Sequence, residues 1–187
     1  MITQNADPEI SGSRTVRGLI YLWVMQNVLL VVSSIYRTNM YVEVYALTYW
    51  RVAAFIWMGL VAMGLCWIIV RSLLNKSNTW LINANVLTLL GVLYITSFLN
   101  IGGIIAEYNV THSREISGKG VSLDVVYLKE IGSPAIPALK RYSRTIGGSF
   151  SSAAVFRMIQ SLRRDMDDWR RWTYSEYRLL KSLESQE

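Results

Sequence analysis

Charge is what this sequence withholds over much of its first half. Residues 18–36, 52–70 and 77–106 contain no Asp, Glu, Lys, Arg or His. A hydrocarbon core takes ~20 helical residues to cross, so the pattern predicts three transmembrane helices, at about 18–36, 44–70 and 81–106. Thiols are nearly absent too. The one cysteine, Cys66, falls inside the second apolar stretch and has no second thiol to join, which excludes an internal disulfide framework or a cysteine-built metal site. It reads as a small residue on a packed helix. Histidine is equally scarce. His112 is alone, and one imidazole does not make the multi-ligand set that zinc requires. No metal, cofactor or catalytic residue is expected.

Motifs with chemistry are missing as well. Gly118-Lys119-Gly120 lacks the spacing and the Ser/Thr of a phosphate-binding loop, and residues 147–151 do not spell a nucleophile elbow. Asn109-Val110-Thr111 matches a glycosylation acceptor, a pattern short enough to arise by chance. Asp165, Asp167 and Asp168 are interleaved with Arg163, Arg164, Arg170 and Arg171, which reads as a salt-bridged helix surface rather than a cation site.

What is present divides the chain in two. Only six of the 19 Lys and Arg precede residue 107, whereas the last 81 residues hold the other 13 beside ten of the 13 acids. The slightly positive mean hydropathy, +0.26, therefore averages two unlike halves. Residues 107–187 face water, and their small cationic excess points to anionic lipid headgroups rather than nucleic acid. The polar, aperiodic residues 1–17 read as a disordered tail. The first apolar stretch is longer than a signal-peptide core and lacks a small-residue cleavage site, so it is expected to stay as a helix.

Within the membrane region, a short turn is expected at residues 37–40. Tyr41, Tyr45 and Tyr49 then recur every four residues, with Trp50 and Arg51 beside them. That spacing predicts one face of the second helix, lying in the interface as an aromatic belt, and Trp80 is the matching anchor on the opposite side. Along the third helix Asn85, Thr88, Thr96, Asn100 and Glu107 fall in one sector, a polar stripe that must face protein or a wet path. Packing is the preferred reading, since Asn and Thr bond neighbouring helices. Thr48, Arg51, Gly59, Ala62 and Cys66 form a matching side of helix two, so Arg51 and Glu107 are expected to pair across an interhelical polar seam, with Glu43 as the rival partner for Arg51.

The water-facing part reads as a small helical module. Leu123, Val126, Tyr127 and Ile131 follow helical spacing between Ser122 and Gly132, and Ser133-Pro134 starts a second helix toward Arg144 that Gly147-Gly148 ends. From Ser152 onward the spacing of Val155, Met158, Ile159, Leu162 and Met166 predicts one long helix or two abutting ones. Trp169, Trp172, Leu179, Leu180 and Leu183 are expected to form a face that touches the membrane surface. The fold class is all-α: three transmembrane helices followed by a helical extramembrane module.

Several words of the sequence resemble a known family. Tyr41 to Arg51, Asn83-Ala-Asn85, Ile105 to Asn109, Leu123-Asp124, Tyr127-Leu128 and Pro134 to Leu139 are similar to a bacterial family of multi-pass membrane proteins catalogued as a domain of unknown function, of the 4173 type. The resemblance spans residues 41–139, with Asp168-Trp169-Arg170 a weaker echo, and implies the C-terminal part of a longer architecture. It implies a bacterial inner-membrane address and no activity. The residues and the resemblance together lead to a non-enzymatic interaction or sensory component of an envelope assembly, whose partners are the lipid bilayer and other membrane proteins or a second copy. The alternative is a transport or channel component with a path along the third helix. Basic residues flanking the spans tie at four to four, so orientation rests on Arg14 and Arg17 before the first helix against Arg37 after it. That favours a cytoplasmic N-terminus and an external C-terminal module.

Overall fold

The computed structural model describes residues 14–147 and 149–185. Residues 1–13, the body of the expected disordered tail, and Gly148 lie outside that range. The described residues are predominantly helical, with no strand among them. In chain order they form α1 (Arg14–Tyr45), α2 (Tyr49–Leu74), α3 (Asn78–Phe98), α4 (Ile101–Thr111), α5 (Arg114–Ser117) and α6 (Val125–Ile131). A 3-10 turn (Ser133–Ala135), α7 (Ile136–Ile146), α8 (Ser149–Asp167) and α9 (Tyr174–Glu184) complete them. Three helices are long and apolar enough to cross a membrane: Gly18–Tyr45 within α1, Tyr49–Leu74 and Asn78–Phe98.

Two boundaries differ from the expected ones, each for a local reason. The first helix does not turn at residues 37–40 but runs on to Tyr45, because nothing between Arg37 and Tyr45 breaks a helix; the chain turns at Ala46, whose φ of 63° lies in the left-handed region. Residues 14–17 are likewise the first turn of α1, not tail. At the other end, the single third helix expected over residues 81–106 is two helices. Asn100 stops α3 and starts α4, its side-chain oxygen accepting the Gly103 N–H at 3.0 Å, the N-cap role for which asparagine is well suited.

The chain divides into two compact units. The first comprises Met1–Met40 and Val52–Phe98 and so holds most of α1, with α2 and α3. Its helices meet through a few side-chain contacts. The Trp67 indole N–H donates to Thr88 Oγ1 at 2.9 Å, Trp80 packs edge-on to Trp67, and Ser72 Oγ donates to Tyr21 Oη at 3.1 Å. Most apolar side chains of this unit stay exposed, as lipid-facing residues must be if these helices cross a bilayer.

The second unit comprises Tyr41–Arg51 and Leu99–Glu187. Its core collects Ala106 and Val110 from α4, Leu128 from α6, Leu139 and Tyr142 from α7, and Ala154 and Val155 from α8. Ile136, Leu162 and Leu183 form a second cluster, against which Leu179 and Leu180 pack. This corrects the amphipathic-face expectation for α9: its leucines turn inward, while Trp169, Trp172, Tyr174 and Tyr177 stay exposed. Caps define the short helices. Asp124, not Ser122, caps α6 by accepting the Tyr127 N–H at 2.9 Å, and Gly147 ends α7 in the left-handed region. The last long periodic segment is two helices separated at residues 168–173. There Asp168 accepts the Arg170 N–H on its side chain and the Arg171 and Trp172 N–H groups on its carbonyl.

Candidate functional site

The second unit contains a cleft of about 630 Å³. Three stretches line it: the end of α1 with the turn that follows it (residues 42–48), the end of α4 at residues 108–113, and the loop and helix start at residues 117–127. A single buried amide ties the first two together. Asn109 Nδ2 donates to the Leu47 carbonyl at 2.8 Å and Asn109 Oδ1 accepts the Leu47 N–H at 2.7 Å. Both backbone groups of a residue outside any helix are thereby satisfied, as buried polar backbone requires. Asn109 is 6% exposed and its amide both donates to and accepts from Leu47, so the glycosylation reading of Asn109-Val110-Thr111 does not fit this fold.

The third wall is a loop that bonds to itself. The Arg114 N–H and Nε donate to the Val121 and Gly120 carbonyls at 2.9 and 3.1 Å, and the Glu115 carboxylate accepts the Leu123 N–H at 3.2 Å. Ser117 Oγ donates to the Lys119 carbonyl at 2.7 Å. Gly120 has φ of +87°, and a Cβ there would stand 2.8 Å from the His112 carbonyl, so only glycine closes this turn.

Chemically the cleft offers groups of both signs. Its lining includes Lys119 and His112, Glu43 and Asp124, and the hydroxyl-bearing residues Tyr45, Tyr108, Ser117, Ser122 and Tyr127. His112 stacks on Tyr108 with ring centroids 4.1 Å apart, and its Nδ1 lies 2.9 Å from the Tyr108 carbonyl. A carbonyl only accepts, so in this contact the proton lies on Nδ1. Among the described residues there is no group of three His, Cys, Asp or Glu side chains positioned to hold a metal.

The residues singled out from sequence are distributed differently from a single seam. In the first unit Thr88 takes the Trp67 indole bond and donates its own hydroxyl to the Ala84 carbonyl, and Thr96 donates to the Val92 carbonyl at 2.9 Å. Asn85 donates to the Leu81 carbonyl, and its Oδ1 faces Gly64, where an added Cβ would come within 3.2 Å. Asn100 and Glu107 lie beyond the break, on the second unit.

Nor do Arg51 and Glu107 pair. Arg51 donates from Nη1 to the carbonyls of Tyr45 and Ala46, capping the end of α1, with its guanidinium 5.8 Å from the Tyr45 ring centroid. Glu107 pairs with Arg141, which also donates to Thr111 Oγ1 at 2.8 Å. The physical reason is that free carbonyls at a helix end and a facing arginine on α7 are nearer partners than an ion across two helices.

The tyrosines expected on helix two are shared between helices: Tyr41 and Tyr45 stack on the last turns of α1, while Tyr49 and Trp50 open α2. The Tyr49 N–H donates to Tyr127 Oη at 3.1 Å, and Trp50 is exposed. Trp80 stands on α3.

Sequence reasoning missed Asn109 and Gly102. Gly102 is buried where a Cβ would lie 2.5 Å from Tyr49 Oη, 3.0 Å from Ile131 and 3.2 Å from Pro134. The sequence signal was a glycine pair separated by Ile101 from the capping Asn100. In the same core, burial and then the nearby Glu115 charge raise the Tyr142 pKa above the ordinary tyrosine value.

Comparison with known proteins adds one relationship. A family model described as a domain of unknown function, DUF4153, matches residues 3–142, and the chain belongs to that family. This corrects the family number expected from the sequence, 4173, while keeping the character of the resemblance. No curated protein and no solved structure matches the chain.

Proposed function

We propose that this DUF4153 member is an interaction or sensory component of a bacterial envelope assembly, held in the inner membrane by its three apolar helices, and that the cleft recognises a small ligand with polar groups on an apolar body. The observation that carries the reading is the cleft itself. It is framed by the Asn109 amide, bonded to both backbone groups of Leu47, and by a self-bonded loop, and it gathers basic, acidic and hydroxyl groups around about 630 Å³. That volume lies within the ~300–1,000 Å³ common for small-molecule sites. The N-terminus is assigned to the cytoplasm by its flanking arginines, and the partners are the bilayer and other membrane proteins or a second copy of this chain.

The alternative, a transport path along the third helix, has less support. Thr88 and Thr96 spend their hydroxyls on carbonyls of their own helix, and Thr88 also meets Trp67, which is how polar groups are quieted in apolar surroundings.

One cysteine-accessibility experiment tests both readings. In a Cys66→Ser background, Ser122→Cys in the cleft reacts with a water-soluble thiol reagent, whereas Asn85→Cys and Thr96→Cys in membranes do not. A low-molecular-weight extract of the producing cell slows the reaction at 122 but not at Ser161→Cys on α8, and Lys119→Ala abolishes that protection. Reaction at 85 and 96 would favour a wet path, and the same rate at 122 with and without extract would refute a ligand cleft.

A further inference from the structure

A second, smaller cavity lies within the first unit, between the start of α1 and the end of α2. Its volume is about 160 Å³. The lining is divided by chemistry. Val16, Ile20 and Ile68 form an apolar part, and Arg71, Ser72, Asn75 and Lys76 supply a polar part that contains two cations and no acid. The cavity sits at the end of the apolar span Tyr49–Leu74, where a bilayer changes from hydrocarbon to headgroup.

The polar part is held in place by bonds that leave its charges available. Arg71 Nε donates to the Lys76 carbonyl at 3.3 Å and the Lys76 N–H donates to the Arg71 carbonyl at 3.0 Å, so the turn closes on itself. Asn75 enters the left-handed region with φ of 47° to make that turn. The Ser72–Tyr21 hydroxyl bond fixes α2 against α1 beside it. Among the described residues, neither Arg71 Nη1 and Nη2 nor Lys76 Nζ has an acidic partner. Two cations lining the same small cavity as apolar side chains match an amphiphile with a phosphate head and an acyl body, since guanidinium and ammonium groups both bind phosphate oxygens and Arg does so bidentately.

The geometry points to a binding site for the phosphate headgroup of an anionic phospholipid, gripped by Arg71 and Lys76 with its glycerol and upper acyl chain against Val16, Ile20 and Ile68. The shared chemistry is a phosphate anion, and the apolar part of the lining selects the lipid-borne form over the free ion.

The test uses the full chain in detergent, examined by native mass spectrometry with added phosphatidylglycerol, phosphatidylcholine or inorganic phosphate. The protein retains phosphatidylglycerol in preference to phosphatidylcholine, and inorganic phosphate does not displace it. Arg71→Ala/Lys76→Ala weakens retention by about 30-fold, the effect of two basic contacts at an anionic surface. Arg71→Lys/Lys76→Arg, which keeps both charges, restores most of it and shows that the loss is not misfolding. Equal retention of the two lipids, or undiminished phosphatidylglycerol binding by the double alanine variant, would overturn the site. Displacement by inorganic phosphate would overturn the lipid as its ligand.

Discussion

Asn109 holds both backbone polar groups of Leu47, a residue 62 positions away, through two hydrogen bonds of 2.7 and 2.8 Å. Leu47 sits between α1 and α2, where no helix supplies partners for its N–H and carbonyl, and it is 9% exposed. The bond pair therefore decides where the turn at residues 46–48 rests on α4, and with it one edge of the cleft.

Asn109→Ala should cost roughly 2–6 kcal/mol of stability, because two buried backbone groups lose their partners at about 1–3 kcal/mol each. Asn109→Asp should also destabilise, since a carboxylate still accepts the Leu47 N–H but has nothing to donate to its carbonyl. Thermal unfolding in detergent measures both. An aspartate variant as stable as the parent would show that the donated bond contributes nothing.

Gly102→Ala should destabilise by about 1–3 kcal/mol through overpacking. The new methyl meets the mobile end of Tyr49 but also Ile131 and Pro134, which are held by the core. Adding Tyr49→Phe should recover part of the loss by removing the closest atom. If the double variant is no better than Gly102→Ala alone, the contact with Tyr49 is not the cause.

Arg51→Ala and Glu107→Ala should be additive, because the two side chains serve different partners. Glu107→Ala and Arg141→Ala should couple, though by no more than about 1 kcal/mol, since both side chains are about half exposed (52% and 48%). A double-mutant cycle on thermal stability measures each pair. Strong coupling between Arg51 and Glu107 would restore the interhelical pair that the sequence pattern pointed to.

Alkaline pH should destabilise the second unit partly through Tyr142. Its folded pKa is raised, so the folded state keeps the phenol protonated after the unfolded chain has begun to ionise near pH ~10. The contribution is whole below that value and is lost as pH climbs through the raised folded one. Tyr142→Phe should therefore show a shallower alkaline decline, and Glu115→Gln a smaller flattening, because removing that charge brings the folded pKa back toward the ordinary value. Parallel stability-versus-pH curves for the parent and Tyr142→Phe would contradict this assignment.

Much of the architecture was legible because it depends on one-dimensional quantities. The length of three uncharged stretches determines how many helices can cross a membrane, and the concentration of 32 charges, 23 of them after residue 106, determines which part meets water. Local caps were partly legible for the same reason: Gly147 ends α7 as glycine does, and Ser133-Pro134 opens the turn that leads into it. Asn100 shows where such reading stops. It lies in an uninterrupted apolar run, so periodicity carries a helix through it, yet its side chain is a better partner for the Gly103 N–H than for a continuing helix.

Partner choice was decided by the tertiary structure alone. Helical spacing places Arg51 and Glu107 on polar faces but cannot say that Arg51 will cap Tyr45 and Ala46 or that α7 will bring Arg141 to Glu107. The same holds for the cleft. His112, Lys119 and Asp124 read as ordinary loop and surface residues, and Asn109 as a chance motif, until the Leu47 turn and the 112–124 loop are folded onto α4. Chain composition determines which residues avoid water. Which polar group satisfies which other depends on distances between segments remote in sequence, and those exist only once the core around Ala106, Val110 and Leu139 has formed.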